Sequence, residues 1–456
     1  MQATTKDPGT ARSGIRHRHA RVLAGLVVAG AILSGCTGAA STPSPAQPAL
    51  AMGQAQLLNA AGDRGVAAAA ELNQFGLDLL RQLGQDGNLC ASPTSVALAL
   101  AMVRPGARGQ TAAEMDRVLH GFGADGQASE IVALLETLSH QTILVDAQGV
   151  PVGPARAAEA TGEPLVELDV ADQAFAQSGE NWEPTYLDAL SSTFGAGIRL
   201  LNYKVDPEAA RRLINQWAGD ATKGRIPDPL QPGDVTTATR LALANAIYLK
   251  AAWDHKFDPD NTRDRTFTTA SGTQVSVPTM ALETNLQYAG GSGFQAVELP
   301  YTGDGLSMLV VIPADMNAFV GSLTAAKLDE IVAGETEADV DLTLPRFSLE
   351  SRFDLSDALV AMGMPTAFDS VEADFSGMTK DEPLFVDRVV HAANIDVVEE
   401  GTTAAAVTIA MMAAGASPAA PPHVIFHADK PFMYFIRERS SGAILFMGRV
   451  NDPSQK

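Results

Sequence analysis

The chain has 456 residues, enough for one large domain or two to three ordinary ones. Apolar residues make up 46% and charged residues 19%, so a sizeable globular core can form. Lys and Arg total 32 against 53 Asp and Glu, and the net charge of −21 disfavours nucleic acid as a partner and gives no basic patch for anionic surfaces.

The N-terminus reads as a targeting segment. Arg12, Arg16, Arg18 and Arg21 precede the apolar run VLAGLVVAGAIL, which is too short to cross a bilayer comfortably. The run ends in LSGC, which resembles a bacterial lipobox with Cys36 as the lipidated residue. Residues 1–35 are therefore expected to be a lipoprotein signal peptide. Residues 36–65 are expected to be the lipidated cysteine and a flexible tether rich in Pro, Ser and Ala. The exported chain would be membrane-anchored through Cys36, facing the periplasm or the cell exterior, or shed from it; several acyl chains together hold stably. Cys90 is the only other cysteine, so with Cys36 lipidated no internal disulfide can form. In NLCASP it reads as a small buried hydrophobe, not a nucleophile.

A helical pattern starts at residue 66 with VAAAAELNQFGLDLLRQL. Ser92-Pro93 marks another helix start, and helices continue to about residue 138. The Gly, Pro and Ala-rich piece at 145–164 reads as a surface insertion. WEPTYLDALSSTFGA and PEAARRLINQWAGDATKG are further helical pieces. From about residue 240 strands dominate, among them LALANAIYLKA, LSMLVVIP, VDLTLPRFSLESRF, LFVDRVVHAANIDVV and GAILFMGRVN. Helices followed by strands predict an α+β fold, with no composition break that would divide residues 66–456.

Catalytic motifs are missing. There is no G-x-S-x-G, S-x-x-K, H-E-x-x-H, C-x-x-C or G-x-x-x-x-G-K-[ST]. The one metal-like spacing is His423 and His427 in HVIFH, whose strand-like intervening residues argue against a ligand pair. No metal, no cofactor and no nucleic acid are expected, and a monomer is expected.

Residues 401–422 are unusual. They join two strong strands, and a connection of that length is functional or disordered as a rule. After Glu399-Glu400 the run GTTAAAVTIAMMAAGASPAAPP carries no charge and no aromatic ring. As a strand it would place Thr402, Ala404, Ala406, Thr408 and Ala410 on one face, all small. The opposite face, Thr403, Ala405, Val407, Ile409 and Met411, grows larger along the chain. Such a segment suits a strand whose small face slides into a confined slot; a flexible alanine-rich linker is the plainer alternative.

Here the sequence resembles the serpin family, over about residues 66–452. The resemblance is carried by NLCASPTSVALALAMVRPGARGQTAAEM, LALANAIYLKAAWDHKF, VELPYTGDGLSMLVVIP, LPRFSLES, GMPTAFDSVEADFSGM and KPFMYFIRERSSGAILFMGRVNDP, in that order. It implies helices packed on a large central mixed sheet, with two further sheets and an exposed reactive-centre loop at about 401–422. It also implies an inhibitor, not an enzyme. A serine protease cuts the loop, is trapped as an acyl-enzyme in a covalent complex, and is carried along as the loop enters the sheet.

The resemblance assigns residues one at a time. Glu399, Glu400, Gly401, Thr402, Thr403, Ala404, Ala405 and Ala406 match the hinge, with Thr403 standing where glutamate is common. Ser92, Ser95, Asn245 and His391 match a hydrogen-bonding group beneath the point where the sheet opens. Trp253 matches an aromatic residue near the insertion start. Arg346, in place of the family's lysine, is expected to clamp Glu399 bidentately. The scissile bond stays open: Met411, Met412, Ala414, Gly415 and Ala416 are candidates. No Lys or Arg occurs between Glu399 and Lys430, so elastase-, subtilisin- or chymotrypsin-like targets are expected rather than trypsin-like ones. The alternatives are a non-inhibitory serpin acting as a binding or structural surface lipoprotein, and a hydrolytic lipoprotein enzyme.

Overall fold

The computed structural model describes residues 48–58, 65–84, 86–148, 150–152, 160–402 and 421–455, without the side chains of residues 172, 245 and 246. The expected signal peptide, Cys36, hinge residues Thr403, Ala404, Ala405 and Ala406, and all five scissile-bond candidates lie outside these residues.

Strand β1 (Ala49–Ala51) is followed by helix α1 (Val66–Gln82), β2 (Leu89–Ala91), α2 (Pro93–Val103), α3 (Gly109–Val118) and α4 (Ala128–Ser139). Next come β3 (Val166–Gln177), α5 (Pro184–Phe194), β4 (Ile198–Leu201), α6 (Pro207–Ala221) and β5 (Leu241–Ala252). Strands β6 (Arg263–Thr268), β7 (Gln274–Gly291), β8 (Phe294–Pro300) and β9 (Leu306–Pro313) precede α7 (Met316–Ser322) and α8 (Ala325–Ala333). Then follow β10 (Thr336–Pro345), β11 (Phe347–Asp354), α9 (Ser356–Met362), β12 (Val390–Val398), β13 (Gly401–Thr402), β14 (His423–His427), β15 (Phe432–Glu438) and β16 (Ile444–Val450).

Local chemistry sets several boundaries. Ser92 caps α2 by accepting from the Ser95 amide, and Pro93 supplies the first turn, as expected from the sequence. Asp206 does the same for α6. Gly195, at φ 62°, ends α5 in the left-handed region. β9, β15 and β16 are buried along their whole length, which fits their largely apolar sequences; the buried charges are Arg437, Glu438 and Arg449.

The central mixed sheet runs β1-β4-β3-β5-β13-β12-β11, with β3 and β4 parallel. The other strands hydrogen-bond as β14-β10-β7-β8-β9-β15-β16-β2, with β6 on β7. The two further sheets expected from the sequence are thus joined edge to edge through the long strand β7. Helices α1 and α2 pack with β16 into one core that includes Leu72, Phe75, Leu98, Met102 and Met447.

Two expectations are corrected. Residues 48–58 are not free tether: Ala49–Ala51 extend the sheet at β4, the Gly53 amide donates to Ser191 Oγ, and the Leu58 amide donates to Ser192 O at 2.8 Å. Small side chains and an otherwise open β4 edge allow this docking. The strand expected from Leu384 begins only at Val390, because the preceding residues have no ladder partner.

Candidate functional site at the split sheet

Strands β5 and β12 lie on either side of the two-residue strand β13. Gly401 pairs with Ala252 and Val398, and Thr402 with Ala251 and Val397, antiparallel on both sides. Beyond that point, among the described residues, no ladder joins β5 over 241–250 to β12 over 390–396. Among the described residues the sheet is therefore split below Thr402. A small cavity lies at the upper end, lined by Ile247, Leu249, Asn394, Ile395 and Thr402. A larger one of about 180 Å³ lies at the lower end, among Val96, Trp217, Leu241, Leu243, Val390 and His391.

The upper end is built tightly. Gly401 has φ 148°, and a Cβ there would lie 2.0 Å from the Ala251 carbonyl oxygen, so only glycine fits. Thr402 is 3% exposed and its Oγ1 lies 2.6 Å from the Tyr301 hydroxyl. Tyr301 stacks on Trp253 with ring centres 4.5 Å apart. Trp253 Nε1 donates to Val398 O at 2.9 Å, and its amide donates to Glu400 O at 3.0 Å. Trp253 thus holds the chain at the point where β12 turns into the hinge.

Glu399 is 2% exposed. Burial alone would raise its carboxyl pKa, but hydrogen bonds from Arg346 and Thr262 prevail and hold it below the usual range. Arg346 Nε and Nη2 lie 2.8 and 2.5 Å from the same oxygen, Oε1, which also accepts from Thr262 Oγ1. The expected Arg346–Glu399 clamp is present, but it converges on one oxygen instead of forking over two, because Thr262 shares that oxygen.

At the lower end, the Ser92 amide donates to His391 Nε2 at 3.0 Å. An accepting Nε2 leaves the proton of a neutral imidazole on Nδ1. Burial pushes the His391 pKa down to about 4. The Ser95 amide donates to Ser92 Oγ, so the helix cap and the histidine share one residue. Asn245 contributes backbone to β5, opposite Asp172; its side chain lies outside the described residues. Cys90 is fully buried and its thiol is pushed up to about 12, in keeping with a packing role.

The family described as Serpin (serine protease inhibitor) matches residues 70–453. The chain belongs to the serpin family. It is 34% identical to Serpin B6 of Macaca fascicularis, over 84% of this chain and 99% of that protein. It is 32% identical to the leukocyte elastase inhibitor of Homo sapiens, over 83% of this chain and 98% of the other. Its fold matches the native-state crystal structure of Tengpin, a thermophilic serpin, with TM-score 0.74 and 22% identity over 89% of this chain and all of that one.

In this serpin the sequence-assigned Ser92, Ser95 and His391 meet at the lower end of the slot, and Trp253, Arg346, Glu399, Glu400, Gly401 and Thr402 at the upper end. Hinge residues Thr403, Ala404, Ala405 and Ala406 lie outside the described residues. Two residues that hydrogen-bond the hinge were missed from the sequence, Tyr301 and Thr262. Both sit in ordinary turn or strand-edge contexts, and only the fold brings them to the hinge from 101 and 137 residues away.

Proposed function

We propose that this serpin is a suicide inhibitor of serine proteases, whose cut loop fills the slot between β5 and β12. One observation carries this: Thr402 already occupies the upper end in a register that can be continued. Thr402 faces inward beside Ala251 and Val397, all buried. A strand continued from it would direct alternate residues Ala404, Ala406, Thr408 and Ala410 inward. In that register Ala404 would meet Leu249 and Ile395, and Ala406 would meet Ile247 and Ala393. Thr408 would lie between Asn245 and His391. Each inward residue is small, as a narrow slot demands. Thr403, where the family often has glutamate, would face outward.

Filling the slot would pair the facing backbone groups of both strands and bury apolar surface. The open form would then persist kinetically, held by the barrier to strand entry. The loop lacks Lys and Arg, which supports elastase-, subtilisin- or chymotrypsin-like targets. Sequence features at 22–36 support export and lipid anchoring at Cys36.

The test is brief mixing of the purified protein with an elastase and with a subtilisin, followed by a denaturing gel. A covalent band near the sum of the two masses is expected, with a released C-terminal peptide whose mass identifies the bond among Met411, Met412, Ala414, Gly415 and Ala416. Clipped protein alone, with each protease, would overturn the proposal.

A further inference from the structure

Strand β14 carries the far anchor of the loop. It pairs only with β10 among the described strands, in parallel, His423 beside Asp339 and His427 beside Thr343. β10 in turn pairs with β7, with Asp341 opposite Glu283. His423 Nδ1 lies 3.1 Å from Asp339 Oδ2. One ligand atom each from Glu283, Asp339 and His423 falls within 4.8 Å of the others. A second pair repeats the pattern along the same seam, with His427 Nε2 lying 3.5 Å from Asp341 Oδ2, solvent-inaccessible and without a hydrogen bond. Among the described residues no Lys or Arg forms an ion pair with Glu283, Asp339 or Asp341.

We infer that Glu283, Asp339 and His423 form a divalent transition-metal site that staples β14 to β10 and β7. One imidazole and two carboxylates suit Zn²⁺ and similar ions, which bind three protein ligands and leave a position for water. A cation central to the three atoms would start no more than about 2.8 Å from each, and small side-chain rotations reach the usual distance of about 2.1 Å. The ion would also neutralise a group of acids that, among the described residues, has no Lys or Arg partner. The sequence alone pointed to His423 and His427 as the only metal-like pair; instead each histidine meets its own aspartate, and the third ligand comes from a strand more than a hundred residues earlier.

The staple has a consequence for the loop, which rests on the inhibitor proposal; the metal site itself does not. β10 ends at Pro345 and β11 begins at Phe347, opposite Val397 and therefore at the Thr402 end of the slot. β14 lies along β10, so the loop's far anchor is at that same end. An uncut loop that filled the slot through residue 412 would leave residues 413–422 to return. These reach about 35 Å fully extended, against a slot of about 33 Å and a further stretch along β10 from Pro345 to Asp339. The intact loop can fill the slot only if β14 comes away, and a metal staple opposes that.

The test uses the full chain, freed of metal with a chelator, and Zn²⁺ alone as probe. Competition with a chromogenic indicator is expected to show a site weakened at least 10-fold by His423→Ala and by Glu283→Gln, and unchanged by His140→Ala. Saturating Zn²⁺ is expected to slow amide exchange at residues 423–427 in the unsubstituted chain and not in His423→Ala. All four ligand and control positions named are partly or fully exposed, so the variants should fold. Equal affinity in every variant would overturn the site. Affinity loss without slower exchange would overturn the staple. Neither readout involves a protease, so loss of inhibition with intact Zn²⁺ binding would count against the inhibitor proposal alone.

Discussion

Thr402→Arg tests the slot at its narrowest point. Thr402 is 3% exposed, flanked by Ala251 and Val397 at 0%, with Tyr301 capping its hydroxyl. No carboxylate lies among these neighbours. Circular dichroism and thermal unfolding of the uncut variant check that it folds before its complex is measured. Insertion after cleavage would then have to bury an unpaired guanidinium, at about 3–5 kcal/mol. Placed on the insertion barrier, that slows strand entry by about 2–4 decades. Hydrolysis of the acyl-enzyme then wins, and the protease leaves active. Thr402→Val is the control: it keeps the volume and loses only the Tyr301 hydrogen bond, about 1 kcal/mol. Quantified on a denaturing gel, Thr402→Arg should give cleaved chain with little complex, and Thr402→Val should keep most of it. Undiminished complex from Thr402→Arg would refute the inward-facing register.

Gly401→Ala should release the two-residue strand, since its Cβ would meet the Ala251 oxygen at 2.0 Å; faster amide exchange at Trp253, which donates to Glu400 O, reports this. Acid should weaken the fold through His391, because its folded pKa is pushed below the ordinary 6.5 to about 4 and unfolding therefore takes up a proton. Stability should fall from about pH 6.5 down to about pH 4, by about 3 kcal/mol in total, and His391→Gln should flatten that part of a urea-denaturation pH series. Arg346→Ala should remove one hydrogen bond and the ion-pair contact to buried Glu399. With Arg346 43% exposed, solvent screening limits the loss to about 1 kcal/mol at pH 7. The carboxyl's lowered pKa means the clamp acts above the ordinary carboxylate range, so the difference from the unsubstituted protein should shrink as pH falls through it.

Much of the fold was legible because periodicity and caps agreed with tertiary packing. Ser92-Pro93 started a helix as its chemistry requires, and the apolar runs at 306–313 and 444–450 became fully buried strands. β3 was not foreseen, since VELDVADQAFAQ is rich in Asp, Gln and Ala, residues that disfavour strands in isolation. It forms because β5 and β4 pair with it on both sides. The small-residue alternation after Gly401 was legible, and the structure describes Thr402, its first member, as buried between Ala251 and Val397. Tyr301 and Thr262 were not legible, because nothing local distinguishes a turn tyrosine or a strand-edge threonine from its neighbours. The docking of residues 48–58 was hidden for the same reason: a tract of Ala, Gln and Gly shows little preference until an open strand edge meets it.

The most direct measurement is amide exchange over residues 241–250 and 390–396, before and after a protease cuts the loop. These are the strands that flank the slot without a ladder between them. Cleavage should sharply slow their exchange, as the released loop supplies the missing partner strand, and thermal stability should rise with it. Unchanged exchange after complete cleavage would mean that the slot stays open, and strand insertion could not be how this serpin acts.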